Sequence, residues 1–297
     1  MKRTILVLAA LVLVVATTLS DSGFPSGIPT ARAGVGGGEF YLALGDSLSV
    51  GYQPGRGETR KGYVDDLWRR VRKEQISGLD LRNVGCPGET SASMITGNHS
   101  LCQYAAGSQL DAAVNFLEQH PGEVAFITID IGANDFVFRC LDFDTGRSDR
   151  ACAADMLPRL QARLARILGT LGTAGPGVPI VGMTYYDPFL GLWGLVPGGR
   201  PLARASLRSF NLLNTGLAEA YEEAGATVAK VAKTFRIKNF AETVRVPGRG
   251  RIPINVALTC RWTWFCSPTF FGDPHANRTG YQQIARTFYR ELEGLLP

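Results

Sequence analysis

Five short runs of apolar, β-branched or aromatic residues recur along the chain, each followed by a stretch with helical spacing. No other feature restricts the fold as much. The runs are Phe40 to Leu44, Leu79 to Val84, Val124 to Ile131, Pro179 to Thr184 and Thr227 to Val231, and each reads as a buried strand. Between them, Tyr63 to Glu74 places Val64, Leu67, Trp68 and Val71 on one face, and Leu110 to Glu118 does the same with Leu110, Val114 and Leu117. Met156 to Leu171 repeats Leu157, Leu160, Leu164 and Leu168, and Leu202 to Glu223 and Tyr281 to Leu296 complete the set. Strand and helix in alternation predict an α/β domain, a parallel sheet with helices on both faces. The segment from 232 to 272 breaks the pattern with proline, glycine and aromatics, as a long functional excursion or several short elements would.

In such a sheet, ligands bind beyond the carboxyl ends of the strands. Ser47, in "ALGDSLSVGY", follows the first run within a few residues. Asn83-Val84-Gly85-Cys86-Pro87-Gly88 follows the second, and "GANDF", Gly132 to Phe136, follows the third. The three polar clusters therefore fall on one edge of the sheet. A base is needed to complete them, and the sequence has three histidines, His99, His120 and His275. His275 lies in "FGDPHANRTGYQQIA", just before the last helix, where Asn277 or Thr279 can cap the helix start. His120 precedes Pro121 at a predicted helix end, which suits a structural or dipole role. His99 falls between Cys86 and Cys102 in what reads as a turn.

The N-terminus addresses the compartment. Lys2 and Arg3 precede an apolar run, Ile5 to Ala16, too short for a membrane span, which needs about 20 apolar residues. Ala31-Arg32-Ala33 offers a small-x-small cleavage site, so residues 1–33 are expected to be a signal peptide removed near Ala33. Residues 34–297 would then form a single secreted domain, with Gly34 to Gly38 as a flexible lead-in. The six cysteines suit an oxidising compartment. Fifteen pairings are possible, but the residues form three neighbouring couples, and Cys86–Cys102, Cys140–Cys152 and Cys260–Cys266 are expected. A zinc site is the rival, without a C-x-x-C or a cysteine–histidine cluster to carry it. The net charge is +5, falling to +3 once Lys2, Arg3, Arg32 and Asp21 are removed. That excess is spread along the chain with no basic run, so no nucleic-acid partner is expected.

Taken singly, each cluster has a plain structural reading. Ser47 suits a turn, Asn134-Asp135 a turn or cap, and a histidine before a helix commonly caps or packs. Their joint occurrence, in this order and at these strand ends, favours chemistry. The chain resembles the SGNH, or GDSL, hydrolase superfamily over nearly all of the mature sequence. "GDSLSVGY" matches the first block of that family. "NVGCPGETS" is similar to the second and places its functional glycine at Gly88, "GAND" places the third block's asparagine at Asn134, and "DPHANRTGY" places the histidine at His275. The cysteine layout is similar to that of the secreted, disulfide-stapled esterase and lipase branch known from actinobacteria.

The resemblance implies a three-layer α/β/α sandwich with a flavodoxin-like, parallel five-stranded sheet in the order 2-1-3-4-5. It implies a carboxylic ester hydrolase (esterase or lipase) with Ser47 as nucleophile and His275 as base, and an oxyanion hole from Ser47 N–H, Gly88 N–H and the Asn134 side chain. The family pattern places an acid three residues before the histidine, where this chain has Gly272, with Asp273 one position later. The His-orienting group is therefore the main-chain carbonyl of Gly272, which is preferred here, or the Asp273 carboxylate. No metal or organic cofactor is expected. Asp130 and Asp135 flank the third strand's end without a third ligand, and phosphate-binding and dinucleotide fingerprints are absent. The expected partner is a small-molecule or lipid ester, with no stable membrane span and a monomeric chain. "PFLGLWGLVP", Pro188 to Pro197, and Arg261 to Phe265 with Thr269 to Phe271 either line the acyl pocket or pack the core. A carbohydrate deacetylase or phospholipase of the same fold, or a secreted glycan-binding module without turnover, are the alternatives.

Overall fold

The computed structural model describes residues 39–99, 101–140 and 150–296. The expected signal peptide and its glycine-rich lead-in lie outside the described residues. Five parallel strands form the central sheet: β1 (Phe40–Gly45), β2 (Asp80–Asn83), β3 (Val124–Asp130), β4 (Ile180–Met183) and β5 (Thr227–Ala229), in the order 2-1-3-4-5. Each coincides with one of the apolar runs; β1 runs one residue further, to Gly45, and the other four are trimmed by one or two residues where hydrogen-bonded pairing stops. Helices α1 (Tyr63–Glu74), α2 (Ser91–Thr96), α3 (Gln109–Gln119), α4 (Ala133–Cys140), α5 (Arg150–Ala174) and α6 (Gly199–Glu223) follow in chain order. The chain continues with α7 (Val231–Thr234), the antiparallel hairpin β6 (Thr243–Val246) and β7 (Gly250–Pro253), α8 (Ile254–Trp262) and α9 (Arg278–Leu292).

Helices α1 and α9 cover one face of the sheet, and α3, α5 and α6 cover the other, giving three layers. Strand residues Leu42, Leu44, Ile127, Ile129 and Val181 are fully buried, because parallel strands with helices on both sides have no solvent face. The three expected disulfides are formed, Cys86–Cys102, Cys140–Cys152 and Cys260–Cys266.

The structure departs from the sequence reading in two elements. Helix α5 begins at Arg150, not Met156, and runs through Pro158. The proline ring removes a backbone hydrogen bond there, and the Cys140–Cys152 staple fixes the extra turns. The irregular segment 232–272 resolves into α7, the hairpin and α8, ending in the loop that Cys260–Cys266 closes.

Candidate active site

Strand β1 ends at Gly45, paired in register with Asp130 at the end of β3. Gly45 has φ +150°, and a Cβ there would lie 2.2 Å from Asp130 Oδ1, so only glycine lets the two strand ends close up. The buried Gln109 pairs with both peptide groups of Gly45, accepting from its N–H at 2.7 Å and donating to its carbonyl at 3.1 Å. Asp46 then turns the chain, its Oδ1 accepting from Leu48 N–H at 2.9 Å. Ser47 follows within that turn, not at a helix start. The turn is closed by Tyr52 N–H to the Ser47 carbonyl at 2.9 Å, and α1 begins only at Tyr63. Local turn amides, not a helix end, surround the serine.

His275 is held by its neighbours. Its carbonyl accepts from Trp264 N–H at 2.9 Å, and the next residue, Ala276, bridges to Thr263. Tyr186 donates its hydroxyl to the Pro274 carbonyl at 2.9 Å, and the Tyr52 ring lies 4.4 Å from the imidazole. Gln53 ties the segment together, donating to the Ala276 carbonyl and accepting from Trp264 Nε1. In this setting His275 Nε2 is 2.9 Å from Ser47 Oγ, across 228 residues of sequence. On the other side of the ring, Nδ1 is 2.9 Å from Asp273 Oδ1, which also accepts from His275 N–H at 3.0 Å. The Asp273 carboxylate thus lies against Nδ1, and no contact of the Gly272 carbonyl with the ring accompanies it among the described residues. Gly272, at φ +86°, turns the chain so that the next side chain folds back on the ring.

Gly88 adopts φ +78°, the left-handed region that favours glycine. Asn134, in the first turn of α4, donates through Nδ2 to the Glu89 carbonyl at 2.9 Å and so fixes its amide beside the Gly88 segment. Among the described residues, neither Ser47 N–H nor Gly88 N–H meets a protein acceptor. Ser47, Asn134 and His275 border a cavity of about 90 Å³, walled by Leu48, Tyr185, Tyr186 and Phe210. Of the apolar stretches read as a possible acyl pocket, only Pro188 lines this cavity. Phe189, Leu190 and Phe265 are buried, and Trp264 packs edge-on against Phe270.

A buried carboxyl network beneath the serine turn went unread in the sequence. Asp130 accepts from the Tyr63 hydroxyl at 2.5 Å and from Asp46 N–H at 3.3 Å, and Asp46 accepts from the Tyr185 hydroxyl at 3.2 Å. Burial raises both carboxyls above the ordinary range, Asp130 the further because the Asp46 charge adds to it. Ionisation of both carboxyls together is therefore disfavoured, by burial first and by their mutual repulsion second. The signal was present as acids at the ends of two adjoining strands, but their register was not. Glu89 is likewise buried and raised by burial, held by Ser93 and Gln109.

The remaining candidates fall elsewhere. His120 caps α3, paired with Glu123 at 2.8 Å and packed against Phe40 and Phe116. Asp135 accepts from Ser91 N–H and its hydroxyl, with Arg163 at 3.5 Å, so it ties α4 to α2. Among the described residues the one cluster with metal-ligand spacing is Cys86, His99 and Cys102, and its two sulfurs are joined in a disulfide.

Solved lipases share this architecture. The extracellular lipase of Streptomyces rimosus superposes with a TM-score of 0.53 over 86% of this chain and 99% of its own, at 16% identity. A lipase from a goat rumen metagenome gives 0.55 over 85% and 96%, at 14% identity. The lipase/acylhydrolase of Enterococcus faecalis gives 0.50 over 87% and 97%, at 16% identity. At such identities the likeness concerns the fold. No curated protein matches the chain in sequence. The family itself is fixed by sequence: residues 43–283, from the strand before the serine to the helix after the histidine, match the model of the GDSL-like lipase/acylhydrolase family, and the chain belongs to that family.

Proposed function

We propose that the protein is an exported carboxylic ester hydrolase that works through an acyl-enzyme. The observation that carries this reading is the relay from Asp273 Oδ1 through the His275 ring to Ser47 Oγ, with 2.9 Å at each contact. A serine hydroxyl is a weak nucleophile at neutral pH, so Nε2 takes its proton as Oγ attacks the ester carbonyl. Asp273 holds the ring with Nε2 facing the serine and stabilises the imidazolium that forms. The negative charge on the carbonyl oxygen falls to Ser47 N–H, Gly88 N–H and Asn134 Nδ2. His275 then gives its proton to the departing alcohol, takes one from water, and returns it to Oγ as the acid leaves. The apolar cavity beside Ser47 takes the first carbons of the acyl chain.

Three disulfides and the small-x-small site at Ala31 to Ala33 support export with cleavage near Ala33, as does the fold shared with an extracellular lipase. Mass spectrometry of the secreted chain should find an N-terminus at Gly34.

A chromogenic short-chain ester tests the chemistry. Wild type should hydrolyse it, and Ser47→Ala should lower kcat by on the order of 10⁶. A wild-type rate in Ser47→Ala removes the nucleophile, and no turnover by wild type across acyl chain lengths, phospholipids and acetylated sugars ends the hydrolase reading. The same panel separates a general esterase from a phospholipase or carbohydrate deacetylase.

A further inference from the structure

The positive excess is not spread along the chain as the sequence reading has it, but falls in one segment. Residues 230–272 carry eight basic side chains against one acid, Glu242, for a net +7, whereas the whole chain nets +5 and the remainder therefore −2. Glu242 is itself paired with Arg236. From Thr243 to Gly272 there are four arginines, Arg245, Arg249, Arg251 and Arg261, and no acid. All four are exposed, and none forms an ion pair among the described residues. Their spacing in sequence hides the cluster, which the fold assembles.

The β6–β7 hairpin packs on α8, and the two leave a groove of about 490 Å³ between them. Arg245, Arg249 and Arg261 line it over an apolar floor that includes Val246, Ile252 and Leu258. Arg249 reaches to 3.3 Å from Cys260 Sγ. The groove extends to Cys266, the other end of the staple. From there the chain runs to Phe271, whose ring packs on Phe265 yet is 54% exposed, four residues before His275. Leu101, beside the Cys86–Cys102 staple, is 69% exposed, and the nearby His99 ring lies over Gly88. Large apolar side chains thus stand out of the loop before His275 and of the segment that the Cys86–Cys102 staple closes, which also holds Gly88, and the basic groove adjoins the first of them.

We propose that the arginine-lined hairpin and Phe271 form a docking surface for an anionic phospholipid bilayer, which brings the Ser47 cavity against the membrane. This goes beyond the ester-hydrolase reading and does not need it to be correct. Arginines in excess match the negative headgroup layer, which attracts basic side chains near its surface. The apolar groove floor and the protruding phenyl ring match the hydrocarbon beneath. A polyanion without hydrocarbon would leave Phe271 in water.

The test uses the full chain carrying Ser47→Ala, which keeps the vesicles intact, in co-sedimentation with phosphatidylcholine vesicles with and without phosphatidylglycerol. Binding should require the anionic lipid and fall as added salt shortens the screening length. Replacing the four arginines by glutamine should weaken partition on the order of a thousandfold, and replacing them by lysine should retain it, which separates charge from a structural role. With Ser47 restored, the glutamine variant should hydrolyse a soluble chromogenic ester as wild type does. A Phe271→Trp reporter should shift its emission to the blue on the anionic vesicles. Equal binding to neutral vesicles, full binding by the glutamine variant or an unshifted reporter overturns the proposal. Failure of ester hydrolysis by wild type would instead strike the hydrolase reading, since vesicle binding is read without turnover.

Discussion

Asp46 and Asp130 meet as two buried carboxyl groups at the base of the turn that bears Ser47, where Asp46 N–H donates to Asp130 Oδ2 at 3.3 Å and burial raises both carboxyls, Asp130 the further. Asp46 anchors that turn, its carboxylate accepting from Leu48 N–H and the Tyr185 hydroxyl. Its replacement by alanine leaves those donors buried without an acceptor, so Asp46→Ala should cost at least about 2 kcal/mol. Asp130→Asn is expected to cost less than about 1 kcal/mol, because the uncharged amide keeps an oxygen to accept from the Tyr63 hydroxyl.

The two variants should also differ in pH dependence. The folded Asp130 carboxyl is raised by burial and by the Asp46 charge. What it contributes to stability is complete below the unfolded aspartate value of about 3.9 and is lost as pH rises through the raised value. Asp130→Asn removes that loss. Urea unfolding across pH should give a flatter profile for the asparagine variant, and matching slopes would show that the pair holds no proton.

Asp273 sits at His275 Nδ1 in the place where the family's usual spacing puts glycine in this chain. Asp273→Ala should lower kcat for a chromogenic ester by on the order of 10²–10⁴, with KM little changed. Combined with Ser47→Ala, it should cause no further loss, since the two residues act as a unit. An active Asp273→Ala enzyme would return the orienting role to the Gly272 carbonyl.

Asn134 has its amide fixed by the Glu89 carbonyl before any substrate arrives. Asn134→Ala should therefore lower kcat by about 10²–10³ while KM and the unfolding midpoint stay near wild type. A rise in KM alone would place Asn134 in substrate binding and outside the oxyanion hole.

The parts of this site that the sequence discloses are those fixed by strand ends. Ser47, Gly88 and Asn134 each follow a predicted strand, and a parallel sheet brings such ends to one edge. His275 was readable because a capped helix start follows it, with Asn277 Oδ1 accepting from Thr279 N–H and Gly280 N–H. The rest depends on register and loop dihedrals that periodicity does not encode. Asp46 meets Asp130 because Gly45 pairs with Asp130, and Asp273 reaches Nδ1 because Gly272 turns at φ +86°. Helices α2 and α7 and the β6–β7 strands span four to six residues each, too few to show a period. Phe210, a wall of the cavity, looks in sequence like any core position of α6.

Asp187 gives a second pH test, away from the serine. It is fully buried at the start of the 3₁₀ helix Pro188–Gly194, accepting from Phe189 N–H and the Ser206 hydroxyl, each at 2.9 Å. Burial pushes its carboxyl up to about 7, against the lowering effect of those hydrogen bonds. The protonated form is thus favoured in the folded chain, and its contribution disappears as pH rises from the unfolded value of about 3.9 through about 7. Asp187→Asn carries no such proton. Its unfolding free energy should fall less steeply over that window, by up to about 1.4 kcal/mol per pH unit, the weight of one proton. Denaturant titrations at closely spaced pH values measure this directly. Parallel curves for wild type and variant would mean that Asp187 is ionised in the folded protein, with the Ser206 and amide hydrogen bonds outweighing burial.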